Sequence, residues 1–325
     1  GNIHTCAILD DGSVSCWGDG SAGQLGNGGT STQNTPTLTS SLGTGRTAVA
    51  LSSGGLHTCA ILDNGSVSCW GDSYYGQLGN GGTSNQNSPT LTSSLGAGRT
   101  AIALSSGDQH TCAILDDDSV SCWGAGSAGQ LGNGGTSQQY PPTLTNSLGA
   151  GRTAVALSSG ESHTCAILDN GSVSCWGYGG YGQMGSGGNW NQKSPTLTSS
   201  LGAGRTVALS ERDLDGDGIL NIFDSTPYPS TTNPSNPLPQ RNVAGFQEGS
   251  IYTNTTLSSG GGHTCAILDN GSVSCWGSGY YGVLGNGGTS QQNSPTLTSS
   301  LGTGRTAVAL SSGAGHTCAI LDNGA

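Results

Sequence analysis

Large apolar side chains are scarce in this chain. Of 325 residues only two are Phe and one is Met, hydrophobic residues reach 32% and aromatics 5%. Without a period, such a composition would bury too little apolar surface to offset chain entropy. Basic residues are also few, eight Lys and Arg against nineteen Asp and Glu, for a formal charge of -11. A chain so charged repels phosphate backbones, and no basic stripe is interleaved with aromatics, so nucleic acid is not an expected partner. No apolar run approaches the roughly 18 residues of a membrane span. Gly1 begins no signal-peptide pattern, and the chain reads as a soluble segment of a longer one.

What the chain does have is glycine, 59 residues, cysteine, 11 residues, and a period. The string "HTCAILDNGSVSCWG" begins at His57, and close copies begin at His4, His110, His163, His263 and His316. The step is 53 residues except between His163 and His263, where 47 more are inserted. A repeat of this length is one supersecondary unit that buries its faces only against its neighbours. The boundaries follow: repeat units over 1–210, an insertion over 211–256, and repeat units again over 257–325, the last stopping inside its hairpin.

Each unit offers four short strands, in the second unit "TAVALSS", "HTCAIL", "SVSCW" and "PTLTSS" from Pro89, and Gly and Pro leave no room for a helix. On the central pair, Cys59, Ile61, Val67 and Cys69 share one face, and Ala60, Leu62 and Trp70 the other. A sheet apolar on both faces is covered on both. Four-stranded sheets stacked face to face at a fixed period predict an all-β fold, a β-propeller, because radial repetition also hides strand edges.

The stretch "LSSGGLHTCAILDNGSVSCWGDSYYGQLGNG", Leu51 to Gly81, resembles the repeat of the regulator of chromosome condensation family, with its Gly-x-x-His, Asp-Gly turn, Trp-Gly and Gly-Gln-Leu-Gly. The resemblance covers the chain outside roughly 211–256. It implies four-stranded blades in a propeller usually of seven, so that about five are present here and the remaining blades belong to the same longer chain. It also implies a possible activity, guanine-nucleotide exchange on a small GTPase.

The cysteines follow from register. If Asp63-Asn64-Gly65 is a three-residue loop closed by Gly in the left-handed region, Leu62 pairs with Ser66 and Cys59 faces Cys69. The same count pairs Cys6 with Cys16, Cys112 with Cys122, Cys165 with Cys175, and Cys265 with Cys275. Opposed residues of an antiparallel pair lie within disulfide reach. Five such bridges imply an oxidising compartment, extracellular, cell-surface or periplasmic. Zinc is the alternative, through His57, Cys59 and Cys69, but no fourth ligand recurs and a structural zinc site needs four. The repeated His is expected to make a hydrogen bond inside its own blade. Cys318 has no counterpart before Ala325, and its partner is expected beyond it. In unit three, "DDD" replaces "DNG", so Asp118 must take the left-handed position.

Within the insertion, Asp213, Asp215 and Asp217 stand at positions 1, 3 and 5 of a loop, Gly218 at 6, Ile219 at 7, Asn221 at 9 and Asp224 at 12. That is the spacing of a calcium loop. "DLDGDGILNIFDSTP" resembles the loop of thrombospondin type-3 repeats. This resemblance implies carboxylate ligands from Asp213, Asp215, Asp217 and Asp224, the carbonyl of Ile219, and Asn221 directly or through water. A Pro-rich linker, "STPYPSTTNPSNPLPQ", follows, and the insertion is expected as a calcium-ordered knob on the propeller rim.

The copies differ from one another in their loops. Tyr74, Tyr75, Tyr178, Tyr181, Tyr280 and Tyr281 fall after successive Trp-Gly pairs, and Tyr140 and Trp190 fall in a second variable loop. Tyrosine offers large contact area at low entropic cost. Ser, His and Asp recur in every unit, whereas an active site needs one convergent set, so no enzyme is expected. The reading is an extracellular or cell-surface binding or adhesion module whose loops engage a protein or glycan, with a structural calcium site.

Overall fold

The computed structural model describes residues 1–208 and 256–322. Runs of β-branched and small apolar residues, cut by Gly, Asn, Asp and Pro, favour short strands. Apart from one 3-10 turn at Tyr280–Gly282, every regular element among the described residues is a strand.

The first sheet contains β1 (His4–Ile8), β2 (Val14–Gly18) and β3 (Gln33–Leu38). The second contains β4 (Ala48–Ser53), β5 (His57–Leu62), β6 (Val67–Gly71) and β7 (Gln86–Leu91). The third contains β8 (Ala101–Ser106), β9 (His110–Leu115), β10 (Val120–Gly124) and β11 (Gln139–Leu144). The fourth contains β12 (Ala154–Ser159), β13 (His163–Leu168), β14 (Val173–Gly177) and β15 (Gln192–Leu197). The fifth contains β16 (Leu257–Ser259), β17 (His263–Ile267), β18 (Val273–Gly277) and β19 (Gln292–Leu297). β20 (Ala307–Ser312) and β21 (Thr317–Leu321) pair at the end. Each sheet is an antiparallel meander, and the sheets are successive blades of a β-propeller, about five in number.

The two apolar faces of a blade meet different neighbours. Cys59, Ile61, Val67 and Cys69 pack with Ala113, Leu115 and Trp123 of the next blade. Ala60, Leu62 and Trp70 pack with Val14 and Cys16 of the blade before. Every residue of β5 and β6 is buried as a result. The first strand of each blade is innermost: β4, β8, β12, β16 and β20 neighbour one another in turn. Their serines join the blades, since Ser106 donates its backbone N–H to Ser52 Oγ at 2.8 Å and Ser159 does the same to Ser105 Oγ at 2.7 Å.

The outermost strand begins earlier than its sequence suggests, at Gln86 rather than Pro89. Register jumps from Cys69↔Thr90 to Gly71↔Gln86, so Pro89 lies in a bulge on a strand edge, where its missing N–H costs no ladder bond.

The insertion leaves from an inner position, not from the rim. Val207 bridges Leu268, and the strand resumes with Leu257 opposite Ala266. In the second blade the corresponding place is the irregularity between Ala48 and Ala50 on β4. The extra residue at a bulge is left unpaired, so chain can depart there without breaking the ladder. Residues 211–255 of the expected insertion, with the calcium candidates Asp213, Asp215, Asp217, Ile219, Asn221 and Asp224 and the Pro-rich linker, lie outside the described residues.

Candidate functional site

One end of the propeller carries the variable loops. His57 at the start of β5 faces Gly71 at the end of β6, and Gly71 faces Gln86 at the start of β7. The loop before β5 and the loop between β6 and β7 therefore emerge together, as they do in the other complete blades. The opposite end carries the hairpin turns.

The hairpin turn sets the cysteine register. Leu62 N–H donates to Ser66 O at 2.8 Å, Gly65 N–H donates to Leu62 O at 2.8 Å, and Gly65 sits at φ 75°. Pairing alternates from there, so Cys59 and Cys69 fall at a non-hydrogen-bonded pair, where opposed Cα atoms come closest. Their Cα atoms are 4.1 Å apart and the sulfurs are bonded. Cys6–Cys16, Cys112–Cys122, Cys165–Cys175 and Cys265–Cys275 are bonded likewise, whereas Cys318 is free and exposed. Among the described residues no group of three or more His, Cys, Asp or Glu side chains is placed to hold a metal ion.

The repeated histidine bonds the next blade, not its own. His57 Nε2 meets Thr111 Oγ1 at 2.8 Å, and His4, His110, His163 and His263 meet Thr58, Thr164, Thr264 and Thr317 in the same way. Thr111 Oγ1 donates to Gln77 O at 3.0 Å, so it accepts from His57 and the imidazole carries its proton on Nε2. Nδ1 is buried without a partner. A second proton there would be a buried charge with nothing to pair it. Burial accordingly lowers His57 to about 3, with the nearby His110 and His4 adding to the effect, and lowers His163 to about 3 and His110 to about 4.

The Gly-Gln-Leu-Gly motif prepares the ledge on which the next blade rests. Gln77 O also accepts from Trp123 Nε1 at 2.9 Å. Gly79 sits at φ 67°, and a Cβ there would lie 2.8 Å from that indole nitrogen. Gln77 itself reaches back into its loop, with Tyr75 N–H on Oε1 at 2.9 Å and Asp72 Oδ2 on Nε2 at 2.6 Å. The repeated motif thus supports both the next blade and a loop whose composition differs between copies.

Those loops carry the tyrosines. Tyr74 and Tyr75 form an edge-to-face pair with ring centroids 4.9 Å apart, Tyr178 and Tyr181 one at 5.7 Å, and Tyr280 and Tyr281 one at 5.6 Å. Tyr74 is 69% exposed and Tyr281 86%. Tyr281 is also one of two non-Gly residues at positive φ among those described. Tyr140 lies on Gly76, Tyr181 lies over Gly262 of the next blade, and Trp190 is exposed. All six sequence candidates stand at this end, as pairs on three blades.

Sequence reasoning missed two carboxylates. Asp108 and Glu161, in the loops that precede β9 and β13, line a cavity of about 440 Å³ at the mouth of the axis, together with Gly and Ser residues from the other blades. The signal was present, because the residue after the repeated Gly varies between copies, as Gly55, Asp108, Glu161 and Gly261. What was absent from the sequence was the axis that brings these positions together.

The opposite end is organised differently. Arg46 pairs with Asp63 at 3.1 Å, Arg152 with Asp169 at 3.1 Å and Arg205 with Asp269 at 3.2 Å, each joining a blade's hairpin turn to the chain that leads into that blade's own first strand.

Stacked antiparallel blades with inner strands around an axis and variable loops at one end define a β-propeller built to present loops. The family model described as regulator of chromosome condensation (RCC1) repeat matches residues 11–61, 64–114, 117–167 and 270–320. The chain belongs to that repeat family. The human E3 ubiquitin-protein ligase HERC2 is 30% identical over 327 residues, which cover 96% of this chain and 7% of that ligase. The chain thus spans a small fraction of that relative. Human WBSCR16 matches 99% of this chain and 70% of its own at a TM-score of 0.73 and 20% identity. Prp20p from Saccharomyces cerevisiae, described with its binding to Gsp1p and histones, matches 98% of this chain and 80% of its own at 0.59 and 20%. At these identities the two structures share the fold.

Proposed function

We propose that this chain is a non-catalytic binding module, extracellular or at the cell surface, whose loop face engages a protein or glycan. The observation that carries this reading is the set of tyrosine pairs on three blades, all at one end, with Tyr74, Tyr181, Tyr280 and Tyr281 exposed and Tyr75 and Tyr178 half-buried, each pair held on buried, disulfide-bridged strands. Rigid strands under variable aromatic loops are the arrangement of a recognition surface. The five bridges are compatible with an oxidising compartment, which supports the location. In this reading residues 213–224 hold a structural calcium ion at a junction, on the strength of their sequence spacing.

The alternative, nucleotide exchange on a small GTPase, draws on the likeness to Prp20p, which is a likeness of fold. The test is to probe arrays of extracellular proteins and glycans with the full chain and with a variant carrying Tyr74→Ala, Tyr181→Ala and Tyr281→Ala. A ligand bound by the parent and lost at least about tenfold by the variant is expected, as for aromatic anchors at interfaces. Ligands held equally by both, or accelerated nucleotide release from a small GTPase, would contradict the reading.

A further inference from the structure

We propose that the loop face is a docking surface for a cationic, Lys- or Arg-bearing segment of a partner protein. This rests on the binding-module reading above and narrows its ligand class. The first observation is a separation of charge. Every ion pair among the described residues involves an arginine and an aspartate of the turn end: Arg46, Arg99, Arg152, Arg205 and Arg305 all stand there. At the loop end the described carboxylates Asp19, Asp72, Asp108 and Glu161 take part in none of these pairs; Lys193, beside Gly129 on the outermost strand, is the described side-chain cation there, and the Gly1 ammonium lines the same cavity as Asp108 and Glu161.

The second observation is placement. Asp108 and Glu161 belong to adjacent blades, and their loops touch, Asp108 N–H donating to Glu161 O at 3.2 Å. Asp108 Oδ1 accepts from Asn2 at 2.9 Å, which leaves further lone pairs at the cavity mouth. The Tyr74–Tyr75 and Tyr178–Tyr181 pairs stand at the same end, on the second and fourth blades, with the exposed Ser127 on the third blade between them in blade order. Two carboxylates at the mouth of the axis, with tyrosine rings on the blades around them, suit a cationic segment. Ammonium or guanidinium groups then meet ring faces and carboxylates together. A neutral glycan would use the rings and leave the carboxylates unmatched.

Binding is read by fluorescence anisotropy with the full chain and a labelled peptide alternating Lys and Arg with Ser, against the same peptide with Glu at the charged positions. Three double variants are compared: Asp108→Asn with Glu161→Gln, Tyr74→Ala with Tyr181→Ala, and Asp63→Asn with Asp269→Asn. The last changes net charge as much as the first, but at the turn end. The cationic peptide should bind and the acidic one should not. The first two variants should weaken binding by at least about tenfold and the third by less than about twofold. Equal loss in the first and third variants would mean diffuse attraction by the net charge and would overturn the proposal. No binding of the cationic peptide would overturn it too. If a glycan found on the arrays were lost in the tyrosine variant at the same time, the binding-module reading would stand without it.

Discussion

His57 in one blade donates to Thr111 in the next at 2.8 Å, and the Thr111 hydroxyl in turn donates to Gln77 O. This contact recurs at five junctions and makes the repeated His a fastener between blades. Thr111→Val keeps the shape and removes the hydroxyl. Gln77 O still accepts from Trp123, so the cost falls on the stranded imidazole N–H, about 1–3 kcal/mol for a buried unpaired donor. Urea unfolding should show that loss, with Thr111→Ser recovering most of it. An unchanged midpoint for Thr111→Val would remove the fastener role.

The same histidines fix how stability responds to acid. Burial lowers His57 and His163 to about 3 and His110 to about 4, while the unfolded chain titrates near 6.5. Between those values the unfolded state binds more protons, so stability rises with pH there and is fully present above about 6.5. As pH falls, each such histidine costs on the order of 1.4 kcal/mol per pH unit. Unfolding midpoints taken from pH 7 to pH 5 should drop steeply, and His57→Gln should flatten the slope. A midpoint constant over that range would contradict the buried neutral state.

Asp118 occupies the turn position that Gly holds in other blades, at φ 62°. The consequence is visible in its neighbour: Ala154 N–H lies 3.4 Å from Asp118 O, whereas Ala101 lies 2.8 Å from Gly65 O. Asp118→Gly should relieve the backbone and shorten that bond, raising stability by about 0.5–1 kcal/mol. A lower midpoint for this variant would mean that the aspartate contributes more than its backbone costs.

For the proposed calcium loop, limited proteolysis of the full chain is the check. Calcium at about 1 mM should protect the 211–256 segment, and chelator should expose it, as expected for a weak extracellular site. Asp213→Asn with Asp217→Asn should abolish the protection. Cleavage indifferent to calcium would remove the assignment.

The blade was legible because its determinants are local. Alternating apolar residues, a Gly at a left-handed turn position and two Cys at equal distance from the turn's central residue, Asn64, fix register without any partner. Contacts between blades were not legible in the same way. The His-to-Thr bond spans 54 positions, and in a single unit His57 and Thr58 are adjacent, which suggests a partner in the same blade. The bulge at Pro89 was hidden because two extra residues shift register without changing composition. Asp108 and Glu161 came together only through the axis, and the insertion's inner departure point depended on knowing which strand is innermost.

The disulfides test the account most directly, because blade rigidity and compartment both rest on them. The chain should be isolated from its native compartment, alkylated without reductant, digested and weighed. The account predicts that the peptides holding Cys59 and Cys69 run linked and unlabelled, as do those of the other four pairs, with Cys318 open to the reagent. Labelled thiols at the paired positions would contradict both the oxidising location and the bridged blade.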